Sequence, residues 1–216
     1  MLEITRFVFN NFEENTYLAV DSATRKAAII DPGMLSEREC LALEDYISEK
    51  EIILTQIILT HAHLDHCFGA DFVKNKYNVP LKVHSDDKPL AEKVHLQAKR
   101  FGMFQVFNSP LTIDVELSEG DIIEIGKSSL EVIHVPGHSP GGMVLYDKAD
   151  GVAFVGDSIF QNSIGRTDLE GGDFETLIHS LISKVLILPD KTVLLSGHGE
   201  PTTVESEKKH NPFLRR

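Results

Sequence analysis

Four side chains able to bind a metal ion lie within six residues, directly after a short apolar run. The run is residues 57–59, and the side chains are His61, His63, Asp65 and His66. Because side chains of an extended chain alternate between two faces, His61, His63 and Asp65 point to the same side of the backbone. A turn after Asp65 then brings His66 toward the same point. Imidazole and carboxylate ligands suit Zn²⁺ and accept Fe or Mn, so the sequence predicts a metal site where a buried strand ends.

The composition is that of a globular chain with an acidic balance. Its 216 residues contain no low-complexity segment or linker, so we expect a single domain over residues 1–216. A net charge of −12 argues against a nucleic-acid partner, because such partners are held by Lys and Arg contacts to phosphate. The two cysteines, Cys40 and Cys67, lack CxxC spacing and indicate no disulfide framework.

The first residues carry no export signal. Residues 1–6 lack a positive segment followed by an apolar stretch, and no apolar run is long enough to cross a bilayer. We therefore expect a cytoplasmic protein without a membrane partner.

Apolar patterning predicts alternating groups of strands and helices. Strand-like runs cover residues 2–9, 16–20, 27–30, 57–59, 81–83, 122–125, 130–135, 143–146, 152–155 and, as the last strand, 192–195. Helical spacing covers residues 36–50 behind the capping box of Ser36 and Glu39, 70–77, one helix from 89 through 98, and 173–185 behind Asp173. Residues 101–118 are predicted to form a long loop near a binding site. This order favours a layered α+β or α/β sandwich, with helices outside two sheets, over a simple alternating parallel sheet.

Three later strand ends carry further metal-binding side chains. His138, Asp157 and His198 each follow a predicted strand, next to a glycine that lets the backbone turn sharply. Because active-site side chains gather at strand ends, we expect all four strand ends to meet in a two-metal pocket.

A division of the ligands follows from their chemistry. Asp157 has two carboxylate oxygens and is the candidate bridge between two metals. One metal would be held by His61, His63 and His138, and the other by Asp65, His66 and His198. Water bound between two such metals becomes hydroxide near neutral pH and attacks a carbonyl group, so the sequence predicts a dinuclear metal-dependent hydrolase. Zn is the expected metal, with Fe or Mn as alternatives.

The combined pattern resembles the metallo-β-lactamase superfamily. Within it, residues 156–160, 163–168 and 171–173 are similar to the glyoxalase II (hydroxyacylglutathione hydrolase) branch. The resemblance implies an αβ/βα sandwich of two mixed sheets, a dinuclear metal centre, and hydrolysis of a small-molecule thiolester such as S-D-lactoylglutathione.

The end of the sequence resembles the short bacterial members of that branch. Full-length glyoxalase II carries a C-terminal helical region with glutathione-binding side chains, and this sequence ends soon after His198. The resemblance therefore transfers the metal ligands but not the glutathione specificity.

Other functions remain open from the sequence. An iron-dependent persulfide (sulfur) dioxygenase of the same superfamily would use one iron, held by His61, His138 and Asp157. A hydrolase of another ester or thiolester, or a metal-binding interaction protein without catalysis, would also keep these ligands. The acidic balance disfavours a nuclease, and Asp157 disfavours a β-lactamase.

The remaining polar residues of interest receive structural interpretations. His84, His95, His134, His179 and His210 match no ligand position. We expect His134 to be a hydrogen-bonded structural histidine, His84 a polar strand end, and the other three to lie on the surface or in the tail.

Four charged residues, three near the predicted ligands and one among them, receive separate interpretations. Arg166 and Asp168 are predicted to form an ion pair, and Asp31 to stabilise a turn. Asp65 is assigned a second role, which is to take up a proton as the leaving group departs.

Overall fold

The chain forms fourteen strands and six α-helices in the computed structural model, which describes residues 1–104, 106–107 and 109–215. The strands are β1 (Leu2–Phe9), β2 (Glu14–Asp21), β3 (Lys26–Ile30), β4 (Ile53–Ile58), β5 (Leu81–His84), β6 (Val115–Leu117), β7 (Ile122–Ile125), β8 (Ser128–His134), β9 (Met143–Asp147), β10 (Val152–Gly156), β11 (Ile159–Phe160), β12 (Ser163–Ile164), β13 (Val193–Ser196) and β14 (Thr202–Thr203). The helices are α1 (Glu37–Glu49), α2 (Ala70–Tyr77), α3 (Lys88–Glu92), α4 (Val94–Arg100), α5 (Phe174–Ser180) and α6 (Val204–His210). Single 3-10 turns cover Leu64–His66 and Ser85–Asp87, and a π-helical turn, Leu181–Val185, extends α5.

Twelve of the strands form two six-stranded mixed sheets. The first has the order β1-β2-β3-β4-β5-β6, and its pairs are parallel from β3 onward. The second has the order β14-β13-β10-β9-β8-β7, and only β13 and β10 are parallel. The parallel pairs place the ends of β4 and β5 at one edge of the first sheet, and those of β10 and β13 at one edge of the second.

The central strands of each sheet are buried on both faces, as β2 shows for the first sheet. Tyr17 and Ala19 face the second sheet, in a cluster that includes Phe154. Leu18 and Val20 face the opposite way, toward helices α1 to α4. The outer face of the second sheet packs in turn on α5, its π-helical extension and α6. The order helices, sheet, sheet, helices confirms the predicted αβ/βα sandwich.

Hydrogen bonds join the two sheets where these strands end. The Tyr17 hydroxyl donates to the carbonyl of Ser196 at 2.7 Å, and the Asn15 backbone N–H donates to the carbonyl of Gly197 at 2.7 Å. The Met143 N–H donates to the carbonyl of Thr60 at 2.9 Å. The two sheets are therefore held in register at the edge that carries the predicted ligands.

The structure begins β4 at Ile53 rather than at residue 57, adds the hairpin of β11 and β12, and corrects the predicted elements at three further places. Residues 101–118 are not one loop, because Val115–Leu117 forms the edge strand β6; Gln105 and Asn108 of this segment lie outside the described residues. The helix predicted from 89 through 98 is divided at Lys93, whose backbone angles are φ −99° and ψ 8°. Residues 192–195 are not the last strand, since β14 and α6 follow. All three involve short elements whose sequence signal is weak.

No helix within residues 1–104, 106–107 and 109–215 combines the length and the apolar character needed to cross a bilayer.

Candidate metal centre

The structure brings all seven predicted ligands together at one end of the sandwich. His61, His63, Asp65 and His66 follow β4, and the remaining three residues follow β8, β10 and β13. The four strand ends predicted from the sequence therefore do meet.

His61, His63 and His138 form what we term the three-histidine group. The Nε2 atom of His138 lies 2.8 Å from Nδ1 of His63 and 3.2 Å from Nε2 of His61. All three side chains are buried. Three ring nitrogens converging at this distance form a set of donors able to hold a metal ion.

Asp65, His66 and His198 form a neighbouring set, which we term the second group. Oδ2 of Asp65 lies 3.1 Å from Nε2 of His198 and 3.7 Å from Nε2 of His66. One carboxylate and two imidazoles again make a set of donors suited to a metal ion.

Asp157 lies between the two groups. Its Oδ1 atom is 3.4 Å from Nε2 of His66, in the second group. Its Oδ2 atom is 3.7 Å from Nε2 of His138 and 3.6 Å from Nε2 of His198, so it faces one donor of each group. The carboxylate is thus placed where a ligand shared by two metals would lie.

The tautomers of four histidines are set by their outer hydrogen bonds. Nδ1–H of His138 donates to the carbonyl of Arg166 at 2.7 Å, and Nδ1–H of His198 donates to the carbonyl of Phe12 at 2.9 Å. Carbonyl oxygens can only accept, so Nδ1 carries a proton in both rings and Nε2 is the nitrogen that faces the centre.

His61 and His66 are oriented in the same way. Nδ1–H of His66 donates to Oδ2 of Asp31 at 3.1 Å. Thr60 Oγ1 donates its own proton to Asp31, so it accepts from Nδ1–H of His61 at 3.1 Å. In both histidines Nε2 is left free for a metal.

The unpaired donor atoms at this centre are suited to binding two cations. Nε2 of His66 and Oδ1 of Asp157 are both buried and have no hydrogen-bond partner in the described structure. Buried polar atoms are normally paired, and a divalent cation between such atoms satisfies them.

Burial and neighbouring charges shift the pKa values of His61, His63 and Asp157. Burial, with the adjacent imidazoles, lowers the pKa of His61 well below its usual value and that of His63 to about 3. Burial alone would raise the pKa of Asp157, but the facing histidines, His66 first, outweigh it and hold it below the usual range. His61 and His63 are therefore neutral imidazoles and Asp157 is an ionised carboxylate, which are the protonation states that metal ligands need.

The second group is more strongly charged. Burial would lower the pKa of His66, but the carboxylates of Asp157, Asp65 and Asp31 outweigh it and raise the pKa well above the usual value. The pKa of His198 is also raised, because Asp65 and Asp157 outweigh its burial. This excess of negative charge around the histidines attracts cations to the second group.

Asp31 has a different role from the turn predicted for it. The residue is in the left-handed region at φ 51° and is buried. Its carboxylate accepts hydrogen bonds from the N–H and hydroxyl of Thr60, both at 2.6 Å, and from His66. The prediction was wrong because these partners lie 29 and 35 residues away in sequence, and their proximity is created by the pairing of β3 with β4.

Glu14 is a buried acid near the centre that the sequence did not point to. It lies in β2, accepts a hydrogen bond from the Thr16 hydroxyl at 2.9 Å, and places Oε1 4.0 Å from Nδ1 of His66. Burial raises its pKa well above the usual value. Residue 14 lies between the strand-like runs 2–9 and 16–20, in a polar segment where the sequence predicts no strand, so no signal marked it.

A cleft of about 210 Å³ opens onto both ligand groups. Its lining consists of Phe12, His63, Leu64, Asp65, Gln97, Phe101, His138, Asp157, Arg166, Leu169 and His198. A larger cavity of about 420 Å³, lined by Met1 and Asp150 among others, contains none of the predicted ligands.

The charged residues at the rim of the cleft are paired with one another. Arg166 binds Asp168 through two hydrogen bonds of 2.7 and 2.8 Å, which confirms the predicted ion pair. Glu170 lies 3.0 Å from Arg100 and 3.6 Å from Lys93, so it links the loop after β12 to the helical side of the cleft.

The histidines predicted to be structural lie outside both groups. Nε2 of His134 donates to the carbonyl of Pro140 at 2.9 Å, which confirms the predicted hydrogen bond. His84 stacks on it with ring centroids 4.0 Å apart and an angle of 14°.

These two histidines and Asp86 offer a third set of donor atoms, but one poorly arranged for a metal. Two nearly parallel, stacked imidazole rings cannot both hold one ion in their ring planes. Moreover, His84 Nδ1 already accepts from the Asp86 N–H at 3.3 Å, and His134 Nε2 is engaged by Pro140.

Comparison with known proteins assigns the family. The sequence profile described as "Metallo-beta-lactamase superfamily" matches residues 10–198. The chain is 40% identical to "Hydroxyacylglutathione hydrolase GloC" of Haemophilus influenzae, over 94% of this chain and 93% of that protein.

Two solved structures are similar over nearly their whole length. "BLEG-1 B3 metallo-beta-lactamase" has a TM-score of 0.86 and 34% identity, covering 99% of this chain and 100% of that one. "TTHA1623 in a di-iron-bound form" has a TM-score of 0.85 and 35% identity, covering 97% and 100%. The profile match, the sequence identity and the shared fold show that this chain belongs to the metallo-β-lactamase superfamily, with a glyoxalase II-like relative and a His/Asp cluster able to bind metal.

Proposed function

We propose that the protein is a dinuclear metal-dependent hydrolase that cleaves thiolesters, with S-D-lactoylglutathione as the first substrate to test. The proposal is carried by Asp157, whose two carboxylate oxygens face donors of both ligand groups. A ligand shared in this way is what two neighbouring cations require. The three-histidine group would hold one cation and the second group the other.

The donor set supports Zn as the first metal to test, with Fe and Mn as alternatives. The similar structure described as di-iron-bound supports a site with room for two metals. When bound, two divalent metals act as Lewis acids that lower the pKa of water and polarise the carbonyl group of the substrate.

We assign to Asp65 the role of transferring a proton to the leaving group. Its side chain is 19% exposed and lines the cleft, and Oδ2 lies 3.1 Å from Nε2 of His198. Burial would raise its pKa, but His66 and His198 outweigh it and lower the pKa, so the carboxylate is ionised at neutral pH. Asp65 can therefore accept a proton at this oxygen and return it to the departing thiol.

The cleft supports a small-molecule substrate. Phe12, Phe101 and Leu169 form apolar parts of its lining, against which the carbon skeleton of a substrate can pack. Among the lining residues that the structure describes, Arg166 is the one Lys or Arg side chain, and its pairing with Asp168 disfavours a nucleic-acid substrate. A glutathione thiolester is the first candidate because the Haemophilus influenzae relative is named a hydroxyacylglutathione hydrolase.

The test is hydrolysis of S-D-lactoylglutathione by protein loaded separately with Zn, Fe or Mn. The Asp157→Asn variant keeps the side-chain shape but replaces one oxygen that faces the ligand groups. We expect turnover in the wild type and a loss of at least about 100-fold in this variant, since a shared ligand is disrupted. Asp168→Asn, which alters a carboxylate at the rim, is the matched control and should keep metal content and most activity.

Two results would contradict the proposal. One is metal-loaded wild-type protein that hydrolyses no member of a panel of acyl thiols. The other is iron-dependent oxygen uptake with glutathione persulfide in place of hydrolysis, which would assign the alternative dioxygenase chemistry.

A further inference from the structure

Asp87 is a buried carboxylate that joins two loops at the metal centre. It follows β5 and is 0% exposed. Its Oδ2 atom accepts hydrogen bonds from the N–H of Ala62 at 2.8 Å and from the hydroxyl of Ser139 at 2.9 Å. Its Oδ1 atom accepts from the N–H of Gly141 at 2.6 Å. One side chain thus holds three donors from two segments that are far apart in sequence.

These donors are placed among the ligands of a single group. Ala62 lies between His61 and His63, and its carbonyl also accepts a hydrogen bond from Gln97 at 2.9 Å. Ser139 directly follows His138. Asp87 therefore connects the segment that carries two ligands of the three-histidine group to the loop that carries the third, and none of its donors adjoins the second group.

The approach of the His138 loop to Asp87 is very close. A Cβ atom built on Gly141 would lie 2.4 Å from the backbone N of Asp87 and 2.7 Å from its Cβ. Any side chain at position 141 would push the two segments apart. The three hydrogen bonds and this contact together set the distance between the loops.

Asp147, another buried aspartate, provides a comparison. Asp147 is 2% exposed and accepts hydrogen bonds from the N–H groups of Ala149 and Asp150, within its own turn. It is the same type of residue at similar burial, but it joins no ligand segments.

We propose that Asp87 is a positioning residue that sets the spacing of His138 relative to His61 and His63, and so the metal affinity of the three-histidine group. The inference rests on the proposed two-metal site. It predicts that a change at Asp87 weakens one of the two metal sites and leaves the second group intact.

The test is metal binding by Asp87→Asn, measured as Zn²⁺ bound per chain and as the dissociation constant of each site in competition with a chromophoric chelator. An amide has only one acceptor oxygen, so at least one of the three donors loses its partner in either orientation. We expect the dissociation constant of one site to rise by about 10- to 100-fold, as for other groups that orient ligands, while the other site keeps the wild-type value. The visible spectrum of the Co²⁺-substituted protein should change for one ion only.

Two matched variants give the comparison. Asp147→Asn makes the same chemical change in a buried turn and should leave both dissociation constants unchanged. Asp31→Asn alters the carboxylate that binds His66 directly and orients His61 through the hydroxyl of Thr60, so it should weaken both sites. Weakening of one site in the Asp87 variant, beside weakening of both sites in the Asp31 variant and of neither in the Asp147 variant, would separate positioning from a general loss of stability.

Two further variants change the residues of the His138 loop that contact Asp87. Gly141→Ala should reproduce the effect of Asp87→Asn, because its Cβ collides with Asp87. Ser139→Ala removes only one donor and should raise the dissociation constant of the same site by about two- to tenfold, a smaller effect than that of the amide. Ser139→Ala also replaces Asp87→Asn as the decisive variant if the latter does not fold.

Each outcome identifies which proposal fails. Normal binding at both sites in Asp87→Asn and Gly141→Ala, or equal weakening of both sites, would overturn the positioning role alone. Wild-type protein that binds two metals but hydrolyses no thiolester would overturn the proposed function and leave the positioning role standing. Wild-type protein that binds no metal would overturn both.

Discussion

Gly197, a single residue at the end of β13, leaves the space that two of the ligand side chains occupy. A Cβ atom at this position would lie 2.3 Å from Oδ1 of Asp157 and 2.6 Å from Cε1 of His66. The φ angle of Gly197 is not in the left-handed region, so crowding rather than backbone strain requires glycine here. The end of β13 can approach the ligands only because it has no side chain at this point.

We expect Gly197→Ala to displace the Asp157 carboxylate and to reduce the metal bound per chain below that of the wild type. Hydrolysis should fall by at least about tenfold, since each 1.4 kcal/mol of lost stabilisation is a factor of ten. Elemental analysis of the purified variant measures the metal content.

Gly199→Ala is the control for that change. Gly199 has φ 72° and no atom within 4 Å of its built Cβ. The control should therefore lose about 1 kcal/mol of stability through backbone strain but keep its metal. A Gly197→Ala variant with a full metal complement would refute the argument from crowding.

His84 predicts a pH dependence of stability. Burial, followed by the charge of the adjacent His134, lowers its pKa in the folded protein, while the unfolded chain titrates near about 6.5. Below that pH the unfolded chain binds more protons at this residue than the folded protein does. The free energy of unfolding therefore falls as the pH drops from about 6.5, by at most about 1.4 kcal/mol per pH unit.

Urea unfolding of metal-free protein between pH 7.5 and pH 5 measures this effect. Replacing His84 by Gln removes the titrating group, so the variant should lose less stability on acidification than the wild type. Parallel pH profiles for the two proteins would exclude His84 as the source.

The ligands could be predicted from the sequence, whereas the groups that orient them could not. Histidines and aspartates at the density of residues 61–66 are unusual, and each later ligand stands at a strand end next to a glycine. Asp31 and Asp87 also stand at strand ends, but single aspartates there are common in turns. Only the folded arrangement reveals their partners.

Helix α1 shows how one side chain fixes an element to its neighbour. Ser36 and Glu39 form the capping box that the sequence predicted. The Glu39 carboxylate also accepts hydrogen bonds from the N–H of Asn10 at 2.6 Å and of Leu35 at 2.9 Å. It therefore joins the start of the helix to the turn between β1 and β2.

Loss of Glu39 should cost more stability than loss of Ser36. Ser36→Ala removes one cap and should cost about 1 kcal/mol. Glu39→Ala leaves three backbone N–H groups without their acceptor and should cost about 2 kcal/mol or more. Urea unfolding measures both, and Glu49→Ala, an exposed position on the same helix, should change stability by less than about 0.5 kcal/mol. The reverse order would show that the contact to the β1–β2 turn contributes little.

Element prediction succeeded for long periodic segments and for some strands of four residues, but it missed the shortest strands. Helix α1 and strand β1 were predicted within a residue or so of their bounds. Strands β6 and β14 have three and two residues, too few for a period of two to be recognised. The division between α3 and α4 depends on the backbone at Lys93, a residue type that favours helices in general.

The two six-stranded sheets both supply ligands to the same centre, so the centre involves the whole molecule. The first sheet contributes His61, His63, Asp65 and His66, and the second contributes the other three. Metals bound at this centre would join the two sheets. Metal binding and the stability of the sandwich should therefore be linked.

We expect removal of metal by EDTA to lower the melting temperature of the wild-type protein. A ligand present at 100 times its dissociation constant stabilises the folded state by about 2.7 kcal/mol, so the shift should be several degrees. Calorimetry with and without chelator measures it. The Asp157→Ala variant should respond much less, and an equal response in both proteins would show that EDTA does not act through this centre.

The layered architecture was expected from the family resemblance, and the order of strands and helices agrees with it. The pairing within the sheets was not predicted. Strand β13 lies between β10 and β14, and β10 precedes it by more than thirty residues. Apolar patterns identify strands, but they carry no information about which strands become neighbours.

The spread of the ligands along the chain also has a consequence for protein synthesis. The ribosome completes the three-histidine group with residue 138, whereas the second group waits for residue 198, after β13. A nascent chain that has formed the first sheet and the hairpins up to β9 would already carry one set of ligands while the other is unfinished. The three-histidine group is therefore the first of the two ligand sets to be synthesised in full.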